Sequence, residues 1–175
     1  MSIRHFLLVP AGACLWAAAA WGQAAAPVTA HGDFVNAKGE KIGTAVLTQV
    51  PGGVRVVANL AQLPPGMHAL HIHTTGRCEG PDFMSAGGHF NPSLKQHGKD
   101  NPMGAHSGYL PNFEVNTSGK AQATVVAAGV TLSDGSNSLF HPGGTALMVH
   151  AAPDDYKTDP TGNAGARLAC AVIQK

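Results

Sequence analysis

The chain is 175 residues long and almost electrically balanced, with 11 basic and 10 acidic side chains, ten histidines and a formal net charge of +1. That length suffices for one domain with a core of its own. The absence of a basic cluster, together with only 6% aromatic residues, argues against a nucleic-acid-binding surface. In chain order the first element is a leader: Arg4 and His5, an apolar run from Phe6 to Ala20, then small residues at Gly22, Ala24, Ala25 and Ala26. This is the layout of a secretory signal peptide, and the run is shorter than the ~20 residues of a membrane span. Cleavage after Ala24 is expected, giving a signal over 1–24 and one domain over 25–175, exported to the periplasm with no membrane attachment. Ala11-Gly12-Ala13 before Cys14 lacks the apolar start of a lipobox, which argues against a lipid anchor.

Beyond the leader the pattern is all-β. Val28–Asn36 and Glu40–Val50 flank Ala37-Lys38-Gly39, a hairpin signal. Pro51-Gly52-Gly53 turns the chain into Val54–Leu60, and Leu63-Pro64-Pro65-Gly66 leads into Met67–His73. Thr74 to about Gly108 has no strand periodicity, and structureless loops of that length are usually functional. Strands resume at Leu110–Val115, Ala121–Ala127, Thr145–His150 and Arg167–Ile173, with a second long loop over Ala151–Ala166. Eight short strands and two long functional loops predict an eight-stranded Greek-key β-barrel or sandwich of immunoglobulin-like architecture.

Histidine is the unusual residue, and only His5 falls in the leader. In His71-Ile72-His73 the two imidazoles sit at i and i+2 of a strand and project from one face, so both can reach one ion. His89, His97 and His106 occupy the first long loop, and His150 ends a strand. Imidazole suits copper and zinc alike. His31, His68 and His141 lack such a setting and read as surface residues or supports of the ligands.

His71-Ile72-His73, Gly87-Gly88-His89-Phe90-Asn91-Pro92, His97, His106, Met148-Val149-His150 and the run from Gly162 to Cys170 together resemble the copper/zinc superoxide dismutase family in order and spacing, from about Thr29 to the C-terminus. The resemblance implies copper on His71, His73, His89 and His150, with His89 bridging to zinc on His97 and His106. It implies that Arg167 holds the superoxide anion, and that Asp154 links a copper histidine to a zinc histidine. Asp155 beside it reads as a solvated loop charge. A Cys78–Cys170 disulfide is also implied, in keeping with export to an oxidising compartment. The implied reaction is dismutation of superoxide to oxygen and hydrogen peroxide by a redox-cycling copper, with His89 carrying a proton to the departing peroxide. Lys95, Lys99 and Lys157 are weaker candidates for steering the anion. Monomer and homodimer both remain open. The alternative is a non-catalytic relative that carries or buffers copper, which would have no need of an anion-holding arginine.

One position departs from the family. Its zinc site takes an aspartate three residues after the last histidine, where this chain has Tyr109. A phenol with an ordinary pKa near 10 is a poor ligand at neutral pH. Zinc binding is therefore expected to be weak, with copper held independently.

Overall fold

In the computed structural model, residues 26–175 are described. The predicted leader, its cleavage point and Cys14 lie outside them. Nine strands follow one another: β1 (Thr29–Asn36), β2 (Lys41–Val50), β3 (Gly53–Leu60), β4 (Gly66–His68), β5 (Leu70–His73), β6 (Phe113–Val115), β7 (Ala121–Ala128), β8 (Ala146–His150) and β9 (Arg167–Val172). Seven form one curled antiparallel sheet in the order β5-β8-β9-β1-β2-β3-β7, and β4 pairs with β6. The all-β reading holds, with a single 3-10 turn at Met84–Ala86 inside the first long loop. No helix among the described residues is long and apolar enough to cross a membrane.

The expected strand Met67–His73 is two strands, which raises the count from eight to nine. His68 belongs to the small sheet and Leu70 to the large one. Ala69 makes the crossing: its N–H donates to the Ala152 carbonyl and its own carbonyl accepts from His150 N–H. The apolar positions Met67, Ala69, Leu70 and Ile72 change phase at Ala69-Leu70, and that pair of adjacent buried residues is the mark the sequence carries of the change of partner.

Period-2 alternation builds the core. Phe34, Leu47, Val54, Val56, Leu70, Ile72, Leu147 and Val149 point into one apolar cluster, closed by Leu110 and Phe113. β8 is buried on both faces. Leu147 and Val149 join the main core, while Ala146 and Met148 pack with Phe83, Ala86 and Cys170 in a second cluster. His71 pairs with Met148, His73 with Ala146 and His150 with Arg167, so these side chains share the second face. The histidines therefore stand outside the barrel wall, sheltered by the long loops.

Candidate metal centre

A ring of backbone hydrogen bonds brings the first loop onto β5. Ile72 N–H donates to the Gly108 carbonyl, Gly108 N–H to the Phe90 carbonyl, and Phe90 N–H to the Ile72 carbonyl, at 2.8–2.9 Å. His71, His73, His89 and His106 each lie one or two residues from this ring. A β-carbon on Gly108 would press into the Phe90 backbone and the Ile72 carbonyl, which fixes glycine there.

Two imidazole clusters result. His71, His73, His89 and His150 each offer a nitrogen within 4.8 Å of the others, and so do His89, His97 and His106. His89 belongs to both. Hydrogen bonding identifies which nitrogens keep a lone pair. His71 Nε2–H donates to Asp154 Oδ2 at 2.7 Å, leaving Nδ1 buried without a partner. His97 Nε2–H donates to Asp154 Oδ1 at 2.9 Å, leaving its Nδ1 free. His73 Nδ1–H donates to the Gly87 carbonyl and His150 Nδ1–H to the Gly165 carbonyl. The Nε2 atoms of His73 and His150 then face each other at 3.3 Å, both as acceptors. On the other side His97 Nδ1, His106 Nε2 and His89 Nδ1 lie 2.8, 2.9 and 3.3 Å from one another. Four tetrahedral ligands at zinc–nitrogen distances stand about 3.3 Å apart. Lone pairs converging without protons between them need a cation, so both sets fit a copper/zinc pair.

Burial enforces the neutral ring. It pushes His73 down to about 3, and His106 and His150 to about 4. Burial lowers His71 and His89 as well, with His71 charge adding to the effect on His89. For Asp154 burial acts upward, but hydrogen bonds from His71, His97 and Tyr156 N–H outweigh it and hold the carboxyl below the usual carboxylate range.

Arg167 donates through Nη1 to the Phe83 carbonyl at 2.6 Å and through Nη2 to the Gly87 carbonyl at 2.8 Å. Gly87 thus accepts from Arg167 and from His73 together. Cys78 and Cys170 form a disulfide with Cα atoms 5.6 Å apart, which ties the loop bearing these carbonyls to β9. Arg167, His73, His89, His150, Thr161 and Asn163 line a cavity of about 470 Å³. None of the three lysines lines it. Lys99 pairs with Asp100 and lies over the Tyr156 ring, and Lys95 lines a different cavity beside His106.

Several supports went unread in the sequence. Asn112 clamps Asp154, donating from Nδ2 to its carbonyl and accepting its N–H at Oδ1. Of the two readings open for His68, surface residue or support, the second holds: it is buried, with its ring nitrogens 2.8 Å from the His150 and Pro64 carbonyls. His141 stacks on Phe90, and His31 is exposed on β1. Asp155 is exposed as expected, yet it organises the second loop by accepting from Lys157 N–H, Thr158 and Asn163. Asp159 accepts the His97 backbone N–H. Asx turns of this kind were legible in Asp155-Tyr156-Lys157-Thr158.

A curled antiparallel barrel carrying two imidazole clusters that share one histidine has the donors of a metal-binding protein. A profile of the copper/zinc superoxide dismutase family matches residues 41–173, and the chain belongs to that family. It is 51% identical over 146 residues to superoxide dismutase [Cu-Zn] 1 of Aquifex aeolicus (strain VF5), covering 82% of this chain and 86% of that one. Among solved structures, a double mutant of a superoxide dismutase-like protein from Bacillus subtilis superposes with a TM-score of 0.80 at 39% identity, covering 83% of this chain and 97% of the other. The Cu/Zn superoxide dismutase of Brucella abortus gives 0.66 at 31% identity, covering 84% of this chain and all of that one.

Proposed function

We propose that the chain dismutes superoxide, with copper held by His71, His73, His89 and His150 and zinc by His89, His97 and His106. The observation that carries this reading is one cavity lined by His73, His89 and His150 and by the Arg167 guanidinium. Copper held there would supply one-electron exchange in both directions, and zinc held by His89, His97 and His106 would supply a fixed positive charge beside the copper cluster. Arg167 attracts and orients the anion, since a guanidinium stays charged and its two carbonyl contacts fix its plane. One superoxide gives up an electron and leaves as oxygen. The second takes that electron and two protons, one from His89 and one from solvent water, and leaves as hydrogen peroxide. His89 Nε2, buried and without a hydrogen-bond partner, is the atom that holds and hands over one of those protons. Asp154 keeps His71 and His97 in fixed tautomers through both carboxylate oxygens.

The leader is read as a signal cleaved near Ala24 that exports the domain 25–175 to the periplasm. The disulfide accords with that compartment. The test compares wild type with His71→Ala and Arg167→Ala. His71→Ala should lose copper and activity together. Arg167→Ala should keep copper and lose about ten- to a hundredfold in rate at low superoxide, because it removes an anion contact and no ligand. Wild-type rates in copper-loaded Arg167→Ala would refute its assignment.

A further inference from the structure

The three nitrogens of His89, His97 and His106 converge with no carboxylate among them. Asp154 spends both oxygens on His71, His97 and Tyr156 N–H. Asp159 turns Oδ1 to the His97 N–H. Asp155 is held by Lys157, Thr158 and Asn163, and Asp100 by Lys99. Tyr109 holds the position, three residues after His106, that the family pattern gives to the fourth protein ligand. Its N–H donates to the His106 carbonyl, and its backbone bridges to His71. Its ring packs edge-to-face on Tyr156 with centroids 5.8 Å apart. Its hydroxyl is buried and has no hydrogen-bond partner. Native proteins rarely leave such a group alone, and an absent water or ion is one standard reason for it. Three protein ligands with an open fourth position is the arrangement of zinc sites that bind exchangeable ligands, as distinct from closed structural ones.

We propose that the ion held by His89, His97 and His106 keeps an exchangeable fourth position that takes water or a small inorganic anion, with the Tyr109 hydroxyl donating a hydrogen bond to it. This deepens the reading of those three histidines as the zinc site and rests on it. A dication on three neutral imidazoles carries uncompensated charge, which an anion relieves and a phenol does not. The family pattern fills the position with a carboxylate carried by the chain. Here solvent supplies it.

The test uses the protein with reduced copper in the copper site, which gives no visible bands, and cobalt(II) in the zinc site as a spectroscopic probe. Azide is then titrated and the visible bands are followed. The wild type should show a saturable shift. Tyr109→Phe should bind azide roughly tenfold more weakly, the loss of one hydrogen bond. Tyr109→Asp should hold cobalt more tightly and show bands that azide does not move. Wild-type bands unmoved by azide, an equal response in Tyr109→Asp, or a phenolate-to-metal charge-transfer band in the wild type would each overturn the proposal. Cobalt binding that survives His106→Ala unchanged would overturn the three-histidine reading itself, and the proposal with it.

Discussion

Gly162 shows how narrowly the residues around the two clusters are placed. It sits at φ +64°, and a β-carbon there would collide with the Asp154 carboxylate and with His97 Nε2. Only a residue without a side chain lets the second loop close over the Asp154–His97 contact. Gly162→Ala should therefore cost about 2 kcal/mol from strain and clash, or roughly 4–8 °C in Tm. It should also lower affinity at the zinc site by tenfold or more, because Asp154 can no longer fix His97. Metal titration and a thermal melt check both, and a variant with wild-type Tm and zinc affinity would disprove the role. Tyr109 lies at the same scale but fails differently: it leaves the ligands in place and removes a charge.

At the scale of elements, the first histidine pair of the cluster was legible because it is carried by local spacing. His71-Ile72-His73 reads as two side chains on one strand face from period-2 geometry alone. His97 and His106 stood out as histidines of the long loop, but only the resemblance assigned them to one ion and not the other, since loops have no period to place them. Asn112 was missed because it acts through backbone atoms of a distant residue, Asp154, and His68 could not be told from a surface residue because its partner is the distant His150 carbonyl. The split of β4 from β5 is marked only by the phase change at Ala69-Leu70, because alternation says which face is buried and not which neighbour is paired. The segment from Cys78 to Gly87 behaves as one element: the disulfide anchors one end, and its Phe83 and Gly87 carbonyls hold Arg167. Reducing the disulfide should cost about 2–5 kcal/mol of stability and slow turnover while copper stays bound. Parallel assays of activity, copper content and melting after reduction test this, and full activity in the reduced protein would refute the coupling.

At the scale of the whole molecule, the neutral imidazoles make stability depend on pH. The folded values of His73, His106 and His150 lie near 3 to 4, below the ordinary 6.5. Between these limits the unfolded chain binds more protons than the folded one, so stability falls as pH falls through that window. Asp154 adds to the loss at lower pH, because its folded value is depressed and protonation releases His71 and His97. Metal-free protein should hold its Tm above about pH 7 and lose it steadily from about 6.5 to 4. Metal-loaded protein should resist until protons displace the ions, since occupied nitrogens do not titrate. A metal-free Tm unchanged across that window would contradict the buried neutral assignment.

The three-membered ring of backbone bonds joining Ile72, Gly108 and Phe90 also governs how ions leave. Each segment is held to the other two, so lifting either loop segment breaks two bonds, and the remaining one gives no path for partial release. Escape of a metal from the first loop is then an opening event of the barrel's outer wall and not the fraying of one side chain. Amide exchange at these three residues should consequently be slow and equal in the metal-free protein, and unequal rates among them would show that the ring opens piecemeal. On this account the ring sets how long His89 and His106 stay beside His71, a property of the main chain that is separate from the affinity of each imidazole.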